Sequence, residues 1–288
     1  IGIGATVYGP AKYGILPELV PPERLVQANG WIEGSTIAAI VLGTVVGARL
    51  ADLSVDLALG TVIVCYVASM GITLLIPRIA PATGIAPGGP REFVRLMRRL
   101  FAESRARFAM LGTSLFWATS AVLRLMLVAW APVVLLTRNT ADIADLTLAL
   151  AAGLVAGSIA VPSLIPITKL RRARLAAYGM GTAVLALAAM EAVWPTRLVL
   201  AVIGFTGGLF VVPVNAALQD IGHRTVGSGG VIAAQNFFEN VAMLTAVGGY
   251  TVVAGLGASP TASIFVTGLL VLVATALVSW HLPSDQAR

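Results

Sequence analysis

The residue with the most to explain is Arg124, in SLFWATSAVLRLMLVAWAP, where an arginine interrupts an otherwise apolar stretch near the middle of a candidate span. An arginine at the centre of a bilayer costs at least ~2.5 kcal/mol on insertion scales. Its planar fork binds a phosphate through two parallel hydrogen bonds, which a lysine does less well. The alternative is a salt bridge to an acid on another helix, and the sequence places no acid of this chain at that depth. Lys12, two residues after Pro10 in GPAKYG, is a cation near the end of its apolar stretch. It suits either a phosphate in a translocation path or snorkelling to the interface. Asn29 and Glu33 are spaced i, i+4 on one helix face, with Ser35 close by. Gln235, Asn236, Glu239 and Asn240 repeat the pattern further on. Near span ends, these carboxylates suit a gate pairing with Lys12 or Arg224 better than a midplane ligand; a capping or loop-tying role is the other reading.

Catalytic chemistry has no comparable signature. His223 lies in a loop and His281 at a span end, without acids or cysteines at metal-ligand spacing. No nucleophile elbow and no phosphate-binding loop is present, so neither an enzyme nor a cofactor is expected. A membrane-embedded acyltransferase would need a His–Asp pair at the interface, which the sequence does not supply. Cys65 is the single cysteine, excluding an internal disulfide, and reads as a small buried hydrophobe.

The elements that position these residues are transmembrane helices. Hydrophobic residues make up 58% of the 288 positions and charged residues 11%, whereas a soluble domain carries about 25% charge. Mean hydropathy is +0.91. Apolar runs of bilayer length fall at roughly 28–51, 55–77, 108–136, 144–168, 174–194, 197–218, 229–254 and 260–281, after a half span over roughly 1–16. The net charge of +6 does not point to nucleic acid. Its cations cluster in alternate loops: Arg78 to Arg107, then Lys169 to Arg174, then His223 and Arg224. Intervening loops hold Asp52 and Asp56, then Arg138 with Asp142 and Asp145, then Glu191 with Arg197. The alternation assigns the basic set to the cytoplasm. Trp31, Trp130, Trp194 and Trp280 fall near span ends, as an interfacial belt requires. Gly43 with Gly47, Gly153 with Gly157, and Gly204, Gly207 and Gly208 mark close helix packing. Pro132, Pro162, Pro166 and Pro213 are expected to kink or end helices.

Residues 78–107 divide the chain. RIAPATGIAPGGP reads as a linker, and REFVRLMRRLFAESRARF as a basic amphipathic helix on the membrane surface. An internal repeat supports two halves: GPAKYGIL…QANGWIEGSTIAAIVLG aligns with VPVNAALQ…AAQNFFENVAMLTAVGG, pairing Lys12 with Asn215, Asn29 with Gln235, Trp31 with Phe237 and Glu33 with Glu239. Parallel repeats of this kind relate the two halves of the major facilitator architecture. Placing the second copy at helices ten and eleven of twelve puts the first at four and five. Residues 1–77 are then the remainder of an N-terminal half, 78–107 a cytoplasmic linker and 108–288 a C-terminal half. The chain opens mid-flow, without initiator Met or signal pattern, and is expected to lack helices one to three and part of four.

GPAKYGILPEL, QANGWIEGSTIAAIVLG, LGTSLFWATSAVLRLMLVAWAP and GGLFVVPVNAALQDIG resemble the bacterial lysophospholipid transporter family of the major facilitator superfamily, and the likeness runs through essentially the whole chain. It implies import of lysophospholipids, chiefly lysophosphatidylethanolamine, across the inner membrane, the head group flipping through the cavity. It also implies a functional partner, an acyltransferase/acyl-carrier-protein synthetase that reacylates the product. An arginine of the seventh helix and the lysine of the PAKYG motif serve as head-group or gating charges in that family, matching Arg124 and Lys12; Asn29 and Asn215 join them as translocation-path candidates. A facilitator exporting another amphiphilic or drug-like solute is the alternative. It would show a carboxylate-rich, proton-coupled cavity.

Overall fold

A computed structural model describes residues 12–76, 89–136, 140–225, 227–280 and 282. Among them the chain is helical without strands. The helices are α1 (Leu16–Leu19), α2 (Pro22–Leu53), α3 (Val55–Thr73), α4 (Pro90–Ala102), α5 (Ser104–Val134), α6 (Thr140–Leu164), α7 (Ala173–Leu187), α8 (Val193–Thr225), α9 (Ser228–Gly255) and α10 (Pro260–Ser279), with a 3-10 turn at Ile167–Arg172. Six of them, α3, α5, α6, α8, α9 and α10, are long and apolar enough to cross a membrane. The protein is an all-α, multi-pass membrane bundle.

Local chemistry fixes the helix starts. Pro22, Pro90 and Pro260 stand in first turns, where a missing N–H costs nothing. Ser54 and Ser259 cap α3 and α10 by accepting from the amides of Leu57 at 3.3 Å and Ala262 at 3.2 Å. Pro132, Pro162 and Pro213 lie inside α5, α6 and α8, and Pro166 caps the 3-10 turn. Pro10 and His281 lie outside the described residues.

The helix α8 is the centre of the bundle, packed by α2, α5, α6, α7 and α9. Its tightest partner is α6. A Cβ on Gly153 or Gly157 would collide with the backbone carbonyl of Ala201 or Phe205, and one on Gly204 or Gly208 with that of Leu150 or Leu154. The two backbones therefore touch, as small residues four apart permit. Gly43 and Gly47 differ: nothing lies within 4 Å of a Cβ at either. We expect Gly153→Ala to lower thermal stability in detergent by about 1–3 kcal/mol, as overpacking does, and Gly43→Ala to leave it unchanged. Equal melting curves for the two variants would contradict the seam.

Four expectations are corrected here. The amphipathic helix α4 turns its apolar face to protein: Leu100 is buried, and Phe93 and Phe101 meet Phe237 and Phe238 of α9 at ring-centroid distances of 5.4 and 5.1 Å. The amphipathic helix expected to run to 108 ends at Ala102, and its last residues belong to α5, which starts at Ser104. Trp130 is fully buried rather than in an interfacial belt, because α5 is enclosed by α8, α9 and α10 there; Trp31, Trp194 and Trp280 are exposed. Cys65 is exposed rather than buried, since α3 packs chiefly on α2 and buries none of its residues.

Candidate functional site

Two polar sites emerge, one at each end of the groove between α2 and the remaining helices. The first lies toward the ends assigned to the cytoplasm and is a chain of buried hydrogen bonds. Asn29 of α2 and Gln219 of α8, both fully buried, exchange amide hydrogen bonds: Asn29 Nδ2 donates to Gln219 Oε1 at 2.7 Å, and Gln219 Nε2 donates to Asn29 Oδ1 at 2.9 Å. One turn further along α2, Glu33 Oε1 accepts from the Tyr13 hydroxyl at 2.8 Å and from Asn215 Nδ2 at 3.5 Å. Gln235 Nε2 of α9 donates to Asn215 Oδ1 at 2.8 Å and to Glu239 Oε1 at 2.7 Å. The Thr113 hydroxyl of α5 also reaches Glu239. Lys12 Nζ donates to Thr36 Oγ1 at 2.7 Å.

This chain joins the two repeat copies, and not as their symmetry suggests. Gln235 bonds Asn215 and Glu239, both of its own copy, whereas its repeat counterpart Asn29 crosses to Gln219 of the other copy. Of the expected partners, Lys12 attracts Glu33 without a direct ion pair while Tyr13 and Asn215 hold the carboxylate, and Arg224 pairs instead with Asp220 of its own helix at 3.0 Å. Asn240 is exposed and bonds the Asn236 carbonyl at 2.7 Å, and Asn236 is half-buried; neither side chain joins the chain of bonds. At the rim, His223 Nδ1 meets Glu18 Oε1 at 3.0 Å, tying α1 to α8. Sequence reading missed Gln219, although Asn215 and Gln219 have the same i, i+4 spacing that singled out Asn29 and Glu33.

The second site is a cavity of about 410 Å³ that includes Arg124. Its walls are apolar: Ile37 and Val41 of α2, Phe116 and Leu123 of α5, and Leu148 and Leu154 of α6. Arg124 is exposed and makes no hydrogen bond or ion pair among the described residues. It stands 20 residues after Ser104 and 10 before Val134, so α5 carries it beyond its midpoint. Asp145 lines the same cavity. The sequence assigned this residue to a loop, but α6 begins at Thr140 and brings it into the wall. The Asp145 carboxylate accepts from Arg197 Nη2 of α8 at 2.9 Å, so an acid does share the cavity with Arg124 while being paired elsewhere. A second cleft, of about 550 Å³ between α5, α9 and α10, is larger but lined by no charged side chain. Charge, rather than size, distinguishes the first cavity from this cleft.

A guanidinium unpaired among the described residues, in a cavity of mostly apolar walls, can hold an anionic group while the walls take an apolar chain. The chain is 43% identical over 258 residues to the lysophospholipid transporter LplT of Cronobacter sakazakii, and 42% identical over 262 residues to those of Yersinia pestis and Yersinia pseudotuberculosis. These alignments cover 87–90% of this chain and 64% of each relative. The chain belongs to the lysophospholipid transporter family. No protein-family model matches it. It thus spans a little under two thirds of the length of the lysophospholipid transporters it matches.

Proposed function

We propose that this chain carries the arginine-lined part of the path in a transporter that brings lysophospholipids, chiefly lysophosphatidylethanolamine, across the bacterial inner membrane for reacylation. The observation that carries the reading is Arg124, unpaired among the described residues, in a cavity whose other surface is almost wholly apolar. An unpaired cation in low dielectric attracts a phosphate strongly, while the aliphatic walls of α2, α5 and α6 give an acyl chain a surface to lie on. A carboxylate-rich cavity, which a proton-coupled exporter would use, is not what surrounds Arg124.

In this reading the chain holds the end of helix four and helices five to twelve of a major facilitator bundle. The N-terminal half runs to residue 77 and the C-terminal half starts at 108. Lys12, Asn29 and Asn215 line the path, and Glu33 and Glu239 belong to its cytoplasmic gate, flanked by Asn236 and Asn240. An acyltransferase/acyl-carrier-protein synthetase consumes the imported lipid. The test is uptake of radiolabelled lysophosphatidylethanolamine by spheroplasts of a transporter-null strain expressing the full-length protein. Uptake restored above the null background is expected. Uptake equal to the null strain overturns the proposal.

A further inference from the structure

We infer that Asp145 is a specificity residue, receiving the ammonium of a zwitterionic head group whose phosphate is held by Arg124. The inference rests on the transport function proposed above and adds a group that reads the far end of the head group. Arg124 and Asp145 project into one cavity from different helices, α5 and α6. A phosphoethanolamine carries its two opposite charges separated by two carbon atoms, so a site holding it needs a cation and an anion side by side. Among the described residues lining this cavity, those two are the charged ones.

Asp145 is held ready for such a role. One carboxylate oxygen, Oδ2, accepts from Arg197; the other, Oδ1, has no hydrogen bond among the described residues. The Asp145 side chain is 57% exposed. Arg197 is fixed in turn, its guanidinium lying 5.4 Å from the ring centroid of Trp194. Trp194 and Arg197 of α8 thus orient the acid from behind and leave its free oxygen to a ligand.

A purely anionic head group gains nothing from Asp145. The test therefore compares radiolabelled lysophosphatidylethanolamine with lysophosphatidylglycerol, which has the phosphate and no ammonium, in spheroplasts expressing the full-length protein. Asp145→Asn is expected to lower the ratio of the two initial uptake rates about tenfold, the worth of one charged hydrogen bond, with lysophosphatidylglycerol uptake serving as the folding control. Arg197→Gln keeps the acid but removes the group that orients it, and is expected to lower the ratio by less than Asp145→Asn does, about threefold. An unchanged ratio in Asp145→Asn overturns the inference. So does a larger fall of the ratio in Arg197→Gln than in Asp145→Asn, which would take the ammonium contact away from the acid. If the parent imports neither lipid, or Arg124→Ala alters neither uptake, the transport proposal itself fails and this assignment falls with it.

Discussion

Arg124→Ala is expected to reduce lysophosphatidylethanolamine uptake about a hundredfold while leaving the amount of folded protein in the membrane unchanged or raised. Two charge-assisted hydrogen bonds from the guanidinium fork to a phosphate are worth at least ~3 kcal/mol together, and 1.4 kcal/mol is a factor of ten. Nothing in the described structure depends on the side chain: it satisfies no buried acceptor and completes no ion pair. Its removal therefore orphans no partner, and it eliminates an insertion cost of at least ~2.5 kcal/mol. Those two effects have opposite signs, which separates a substrate-binding arginine from a structural one. A structural arginine would lose folded protein and activity together. Arg124→Lys keeps the charge but not the fork, so an intermediate rate is expected. Uptake by Arg124→Ala at the parental rate, with expression matched by immunoblot, would remove Arg124 from the path.

The amide exchange between Asn29 and Gln219 gives the second large expectation. Asn29→Leu leaves the Gln219 amide buried without its partner, at a cost of about 1–3 kcal/mol to the closed arrangement. The same loss follows from Gln219→Leu. The double variant removes both polar groups and is expected to recover most of the stability, because two apolar side chains leave no orphan. A reporter is available next to the contact: Leu25 is 1% exposed and faces α8 beside Asp220 and His223. With Leu25→Cys in a Cys65→Ser background, each single variant should react with a thiol reagent about tenfold faster than the parent. The double variant should react at close to the parental rate. Equal rates in all four proteins would mean that this contact does not hold the groove closed.

These two residues show what the sequence makes legible. Arg124 stands out because every neighbour along the chain is apolar, and a single charge in an apolar run is visible without any knowledge of its surroundings. Helix positions follow from the same contrast, so each expected full span falls on a helix, but α2 and α7 are not among the six long and apolar enough to cross, and the span expected at 174–194 shortens to Ala173–Leu187. The Asn29–Gln219 exchange is a different kind of fact. It joins side chains 190 residues apart, and helical spacing says which face a residue is on but not which helix it meets. Asp145 was hidden for a related reason. A short polar segment between apolar runs reads as a loop, and only the start of α6 at Thr140 turns it into a wall of the cavity. Trp130 was misplaced because nearness to a span end is a statement about depth, whereas burial depends on neighbours.

The contact between α6 and α8 has a consequence for how any motion in this molecule must be organised. Where Gly153, Gly157, Gly204 and Gly208 bring carbonyl oxygens against bare α-carbons, the interface contains almost no rotamers. Sliding of packed helices proceeds by small rotamer adjustments in the side chains between them, and along these four glycines there are none to adjust. The two helices are obliged to travel as a single lever. Displacement must then be taken up elsewhere, where long side chains still separate the elements. The stiffest joint in the bundle thereby determines the position of its hinge.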